Sequence, residues 1–531
     1  MTNTIEDITN DAKVIMLVGS NPEEAHPVFG MQIRAAADRG TKIIVVDPRT
    51  IDLAKRADIH LQIKPGTNVA FINGMMNIII EENLLDHKFV EERTEDFDKL
   101  KEVVKKYTPE YVGKICKIDP DLLREAARMY AVADTAAILY CLGVTEHTTG
   151  TKGVMSLADL AMLCGKLGKR GCGVNPIRGQ NNVQGACDMG ASPDQFTGYQ
   201  NVTDANALAK FEKAWNTKLN PKVGYKATKC FELMPEKGIR GLFIFGEDPV
   251  RTDPDTDHVI HALKSLDFLV VDELFMTETA KLADVILPGR SYAEKEGTFT
   301  NTERRVQRVR KAVEIKGETK ADTWIFTEIM NRMGYPQPHL TPAEIMEEIA
   351  LVTPSFAGIS HERLDSEEIN GQGIQWPCTD KLHPGTKILH VGKFARGKGR
   401  FVPSEYEESF EMPDEEYPLI MMTGRILYHY NACAMTDKTE EINKNWGESF
   451  IEINTDDAKK CKIKNGEMVN VSSRRGTIAA KARVSDKTSK GECWMPFHYV
   501  EGNANKLTSK ALDGISGTPE YKVCAVKIEK I

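Results

Sequence analysis

Three elements occur twice along this chain, in the same order. Val14-Ile-Met-Leu-Val-Gly-Ser-Asn-Pro22 returns as Gly241-Leu-Phe-Ile-Phe-Gly-Glu-Asp-Pro249, and Ile43-Ile-Val-Val-Asp-Pro48 returns as Phe268-Leu-Val-Val-Asp-Glu273. Arg56-Ala-Asp-Ile-His-Leu61 returns as Leu282-Ala-Asp-Val-Ile-Leu-Pro288. Short apolar runs that alternate with helix-compatible segments read as βαβ units around a parallel sheet. Two copies of such a fold suggest two nucleotide-like ligands, or one ligand with two such ends. Ligands of these sheets sit at the carboxyl ends of the strands, where Asn21, Asp47 and Arg49 lie. Asp47 reads either as a hydrogen-bond partner for a ribose or other polar nucleotide group, or as half of an Asp-Pro turn. The first loop is not Gly-x-Gly-x-x-Gly, so the fingerprint of ordinary NAD binding is absent.

A chain of 531 residues is too long for one core and predicts roughly three domains of ~150 residues. A net charge of −8 argues against general nucleic-acid binding. No apolar run reaches the ~18 residues of a membrane span, and Met1 to Ile8 has no signal-peptide pattern. Eleven cysteines with no Cys-x-x-Cys pair point to free thiols in a reducing cytoplasm, with no local motif for zinc or an iron–sulfur cluster.

Helices are predicted over 24–39, 71–82, 119–132, 157–167, 322–333 and 342–351, with Asp119 as an N-cap and Pro120 in the first turn. Strands are predicted over 57–63 and 136–141. His147, just after the latter, reads as a ligand or base or as a hydrogen-bonded bystander. Gly171 to Pro193 is too polar and glycine-rich for a core segment, and it holds one cation, Arg178, among Gln180, Asn181, Asn182 and Gln184. Glycines admit close backbone approach, amides donate and accept without charge, and a lone Arg offers a planar fork to a carboxylate. A second polar loop follows Pro288, and residues 356–413 read as a connector. From Pro418 short β-type runs (419–423, 450–453, 468–472, 476–484, 493–498, 523–528) predict a small barrel. Arg425, His429, Tyr430 and Asn431 cluster after its first strand. Asn503, Asn505, Tyr521 and Lys522 form a second polar set; each set, taken alone, also reads as ordinary surface polarity.

Arg178-Gly-Gln-Asn-Asn-Val-Gln-Gly-Ala-Cys-Asp-Met-Gly190 resembles the signature of formate dehydrogenase catalytic subunits, members of the molybdopterin oxidoreductases. The resemblance extends through Gly246-Glu-Asp-Pro249, Ala283-Asp-Val-Ile-Leu-Pro288, Ile374-Gln-Trp-Pro377 and Thr518-Pro-Glu-Tyr-Lys522. It implies an α/β protein with two related Rossmann-like dinucleotide-binding domains (1–180 and a partial 181–390), a linker (391–415) and a C-terminal β-barrel (416–531). It implies two molybdopterin guanine dinucleotides carrying molybdenum or tungsten. Asn21, Asp47 and Arg49 would hold one dinucleotide; Glu247, Asp272, Thr277 and Asp322 the other. Gly143, Glu146, Gly179, Gln180, Arg425, His429, Asn431, Tyr521 and Lys522 would line the cofactors. Arg178 would orient formate for oxidation to carbon dioxide, and electrons would pass to a partner subunit with iron–sulfur or flavin centres.

The family also carries a cysteine motif for a [4Fe–4S] cluster and a metal-ligating Cys or selenocysteine. Both are expected upstream of residue 1, so the chain is expected to be the downstream part of a catalytic subunit. A selenocysteine codon or a separate small polypeptide would account for the division. Cys187 reads as structural. The alternatives are another molybdopterin oxidoreductase, such as a nitrate reductase, or a cofactor-binding fragment without activity of its own.

Overall fold

The structure is a computed structural model and describes residues 1–315 and 317–531. The chain forms two compact units. The first comprises Met1–Ile177, Pro249–Ile260 and Ile388–Ile531; the second comprises Arg178–Asp248 and His261–Lys387.

The first unit holds a parallel sheet of β1 (Val14–Val18), β2 (Lys42–Val46), β3 (Ile59–Leu61), β4 (Ala136–Tyr140) and β5 (Gly173–Pro176), in the order β3-β2-β1-β4-β5. Side chains alternate across a strand, and here both faces are covered, so β1 and β4 are apolar throughout. Val14, Met16, Val18, Ile44 and Ile138 pack on helices Asn68–Glu81, Pro120–Val132 and Gly150–Leu163. Ile15, Leu17, Ile43, Val45 and Leu139 pack on the opposite side against Ile8, Phe29 and Ile33.

Four sequence expectations are redrawn. The helix expected over 24–39 is two, Pro22–Ala25 and Pro27–Asp38, because Pro27 forces His26 out of helical geometry (φ −145°). The strand expected over 57–63 shortens to β3, behind a 3-10 turn at Asp52–Arg56. The glycine-rich stretch begins inside the fold: β5 is an edge strand, with Cys172 and Asn175 buried. The expected connector carries a helix, His361–Leu364, and two short strands, Ile374–Gln375 and Gly399–Arg400, the latter paired in parallel with Thr94–Glu95.

The second unit contains the repeat's other copy: β6 (Gly241–Phe245), β7 (Phe268–Glu273) and β8 (Val285–Pro288), parallel in the order β8-β7-β6. The two copies share more than strand order. Asp58 accepts from the Ile43 N–H at 2.9 Å, and Asp284 accepts from the Leu269 N–H at 2.7 Å, which is what the repeated Ala-Asp does. Gly19 and Gly246, both at positive φ, donate to Val46 and Asp272 carbonyls at 2.9 Å. These bonds make Asp272 the counterpart of Val46, and Glu273 that of Asp47, one residue off the match read from sequence. The same unit holds an antiparallel sheet of β9 (Gly297–Thr300), β10 (Arg305–Val309) and β11 (Ile374–Gln375).

The first unit ends in a closed barrel of β12 (Leu419–Gly424), β13 (Phe450–Ile453), β14 (Met468–Ser472), β15 (Thr477–Val484), β16 (Glu492–Pro496) and β17 (Cys524–Lys530). Its core includes Met421, Ile451, Val469, Val471, Ala480 and Val526. Closure removes the open edges that a small sheet would otherwise expose.

Candidate functional site

In the first unit the carboxyl ends of β1 and β4 touch backbone to backbone. Gly143 N–H donates to Gly19 O at 3.0 Å, and a Cβ on Gly143 would lie 2.6 Å from Gly19 Cα. Gly143 O accepts from Asn68 Nδ2 and contacts His147 Nε2, each at 3.0 Å, so His147 is a buried, hydrogen-bonded residue. Beside this contact, Ser20 Oγ and Asn21 Oδ1 are buried with no hydrogen-bond partner. Asp47 follows β2; its Oδ1 accepts from the Arg49 N–H at 2.9 Å, and burial raises its pKa.

Glu146 and Lys522 form an ion pair at 2.7 Å, and Lys522 also donates to Thr423 O at 3.0 Å. Lys522 and Arg425 both act electrostatically on the Cys141 thiol, and Lys522 acts on Asp47. Asp47, Gly143, Glu146, Arg425 and Lys522 therefore share one neighbourhood at the sheet's carboxyl edge.

Four sequence-chosen residues also make contacts that hold the first unit together. Arg49 is 7% exposed; its guanidinium donates to Glu452 at 2.7 and 3.2 Å and lies 3.9 Å from the Trp494 ring centroid. It thus ties the α/β sheet to the barrel. Asn503 and Asn505 donate to the Arg251 carbonyl at 3.4 and 3.0 Å, so they seat a backbone segment. Tyr521 does the same, donating to Thr252 O at 3.1 Å. His429 contacts Trp446 O at 2.8 Å and Cys433 Sγ at 2.9 Å, and Asn431 follows it in the left-handed region at φ 48°. Next to His429 stands His498, which sequence reasoning missed. It is 1% exposed, neither ring nitrogen has a partner, and burial holds its pKa down at about 3. Both histidines line a cavity of about 630 Å³ with Arg251, Cys433, Lys481 and Tyr499.

In the second unit Asp272 sits at the end of β7 with Oδ2 buried and unpartnered, its pKa pushed up to about 6 by burial and by Asp322. Asp272 Oδ1 would lie 2.5 Å from a Cβ on Gly289, and Asp322 Oδ1 3.4 Å. Gly289 is what lets the chain pass the two carboxylates. Asp322 opens the helix Asp322–Arg332 and pairs with Lys295. Thr277 Oγ1 accepts from the Ala280 N–H at 3.2 Å. Asp248, another residue missed in the sequence, accepts from Thr279 N–H and Oγ1 at 2.9 and 2.7 Å and so fixes the loop after β7. Glu247 is exposed beside it.

Arg178 opens the second unit. Its N–H donates to Thr302 Oγ1 at 3.0 Å and its Nε to Gln184 Oε1 at 2.9 Å. Cys187 Sγ lies 3.8 Å from Arg178 Nη1. Gly179 and Gln180 follow, half-buried. Asn182 Oδ1 accepts from the Thr300 N–H of β9 at 2.9 Å, and a Cβ on Gly185 would lie 2.2 Å from that oxygen. The glycine therefore brings the amide loop onto β9.

These donor and acceptor sets suit a guanine dinucleotide. Guanine presents N1–H and N2–H₂, which a carboxylate shielded from water accepts; Asp272, buried, and Asp47, half-buried, are such carboxylates, one in each unit. The unpartnered Ser20 Oγ, a donor, and Asn21 Oδ1, an acceptor, with the Gly19–Gly143 contact, leave polar atoms and close backbone for a pterin. Among the described residues no group of three or more His, Cys, Asp or Glu is arranged to hold a metal ion, and no helix is long and apolar enough to cross a membrane.

Residues 1–332 match the molybdopterin oxidoreductase family model, and residues 419–525 match the molydopterin dinucleotide binding domain. The chain is 52% identical over 537 aligned residues to the F420-dependent formate dehydrogenase subunit alpha of Methanocaldococcus jannaschii, covering 100% of this chain and 78% of that protein. It is 41% identical to formate dehydrogenase H of Escherichia coli, covering 100% and 74%. Acetylene hydratase from Pelobacter acetylenicus has the same fold, with a TM-score of 0.76 at 20% identity over 99% of this chain and 80% of that one. On sequence and fold together, the chain belongs to the molybdopterin oxidoreductase family.

Proposed function

We propose that this protein oxidises formate to carbon dioxide, reversibly, in the cytoplasm, at a molybdenum or tungsten ion carried by two molybdopterin guanine dinucleotides. The observation that carries this reading is the 52% identity over the whole chain to a formate dehydrogenase subunit. Asn21 and Asp47 would hold one dinucleotide, with Arg49 fixing the strand end beneath it. Glu247, Asp272, Thr277 and Asp322 would hold the other. Gly143, Glu146, Gly179, Gln180, Arg425, His429, Asn431, Tyr521 and Lys522 would line them. The bound centre supplies the acceptor for the two electrons that leave when the formate C–H bond breaks and its proton departs.

The chain's own contribution is grip and orientation. Arg178 would receive the carboxylate in a charge-assisted, two-pronged contact, turning the C–H toward the metal. Its Nε bond to Gln184 holds the guanidinium still before substrate arrives. Coenzyme F420, reached through a partner subunit with iron–sulfur or flavin centres, is the acceptor suggested by the first relative's name. The [4Fe–4S] ligands and the metal-ligating Cys or selenocysteine would come from polypeptide outside residues 1–531, in keeping with relatives of which this chain spans 78%. Codons read in frame upstream of Met1, and the mass of the native subunit, test that point.

The functional test is turnover by the native holoenzyme with a one-electron dye, offered formate or nitrate. Formate oxidation without nitrate reduction is the expected result; the reverse would make this another oxidoreductase of the family. Arg178→Ala should raise the formate KM by about 10- to 100-fold, the worth of a charge-assisted contact.

A further inference from the structure

Gln184 and Asp188 stand four residues apart on the helix Val183–Asp188, so their side chains meet on one face. Asp188 is fully buried, and its carboxylate accepts from three donors. Oδ1 receives Gln184 Nε2 and the Tyr199 hydroxyl, each at 2.7 Å; Oδ2 receives Trp376 Nε1 at 2.6 Å. Gln184 Nε2 also donates to the Tyr199 hydroxyl oxygen at 2.9 Å. Both N–H bonds of the amide thus point one way, and Oε1 points the other, onto Arg178 Nε at 2.9 Å.

An ionised carboxylate can only accept, and a guanidinium can only donate. Turning the Gln184 amide over would set oxygen against carboxylate and N–H against guanidinium. The amide therefore has one allowed orientation, and Asp188 dictates it. Arg304 supports the arrangement from behind: it is 2% exposed, donates to Trp376 O, and acts on Asp188 electrostatically. Nothing in a simple packing role requires an acceptor-only group here; three donors converging on it do.

We propose that Asp188 is a positioning residue for Arg178: acting through Gln184, it sets the plane in which the guanidinium meets the substrate carboxylate. The proposal rests on the reading that Arg178 grips formate. Tyr199 and Trp376 hold the carboxylate in turn, so the orienting chain runs from indole and phenol through Asp188 and Gln184 to the substrate arginine.

The test is made on the holoenzyme. Asp188→Asn puts an N–H where an acceptor stood, and the formate KM should rise about tenfold or more while kcat changes by less than about threefold. The exchange variant Gln184→Glu/Asp188→Asn restores the polarity, since the new carboxylate at position 184 accepts from Arg178 and from the new amide at 188. Its KM should return to within about threefold of wild type. An unchanged KM in Asp188→Asn, or an exchange variant no better than it, overturns the proposal. Where Asp188→Asn fails to fold, Gln184→Leu removes the acceptor on Arg178 and leaves Asp188 its Tyr199 and Trp376 donors; it should show the same rise in KM, and a wild-type KM overturns the claim. A wild-type enzyme that oxidises no formate would defeat the functional reading instead. A crystal structure of Asp188→Asn would then still decide the positioning claim: an intact Nε–Oε1 bond overturns it, and a reoriented guanidinium supports it.

Discussion

At the residue scale, Arg49 shows how position and role can part. Its place after β2 suggested ligand contact, but the partners that claim it, Glu452 and Trp494, lie about 400 residues on, beyond the reach of local pattern. Removing one partner of a buried pair leaves the other charge uncompensated, at a cost of about 3–5 kcal/mol. Glu452→Ala should therefore lower the denaturation midpoint sharply, whereas the apolar pair Arg49→Met/Glu452→Leu should cost much less. Equal losses in the two variants would mean that the charge pair is not what joins sheet to barrel. His498 and Asp188 were likewise invisible in one dimension. Nothing near either residue in sequence announces an unpartnered imidazole or a carboxylate with three donors. The amide motif around Arg178, by contrast, was legible because glycine, amide and one cation in a short run have few uses in a core.

At the element scale, the repeat was legible because parallel strands buried on both faces leave continuous apolar runs. The barrel was legible from strand lengths and turns, and its six strands fall close to the expected limits. What the pattern could not resolve was register. A match of letters aligned Asp47 with Asp272, yet the backbone pairing within each sheet makes Asp272 the counterpart of Val46, and a one-residue shift moves a side chain to the other face of a sheet. The two acids are therefore not equivalent residues of the two copies. The ends of β1 and β4 meet in a close backbone contact. Gly143→Ala would press a Cβ to 2.6 Å from Gly19 Cα, and overpacking of this kind costs about 1–3 kcal/mol. A melting temperature lowered by several degrees, with less pterin retained on purification, is expected; an unchanged pterin content would show that this backbone contact does not shape the cofactor site.

At the scale of the whole molecule, stability should depend on pH through two buried acids of the first unit. Burial pushes Asp159, on the helix Gly150–Leu163, and Glu492, on β16, up to about 7. Each is neutral in the fold at a pH where the unfolded chain ionises, so the unfolded state binds fewer protons. Their stabilising contribution is full below the ordinary carboxyl value and is lost as pH rises through about 7. Denaturation midpoints should fall between about pH 4 and 7 and level off above, with a shallower fall in Asp159→Asn. A midpoint that rises over that range would exclude these two acids as its source.

Neither unit is a continuous length of chain: the first is written in three passages and the second in two. On a ribosome, the twelve-residue passage Pro249–Ile260 emerges long before the residues it bonds to, Ala432, Asn503, Asn505 and Tyr521, and the barrel of the same unit is made along that later stretch. The first unit cannot finish until its barrel has been made, and no single cut in the gene yields either unit whole. Such a chain depends on distant pairings, which form slowly and leave apolar surface open meanwhile. This interleaving favours protection of the nascent chain, and completion of a cofactor site only once the barrel has been made.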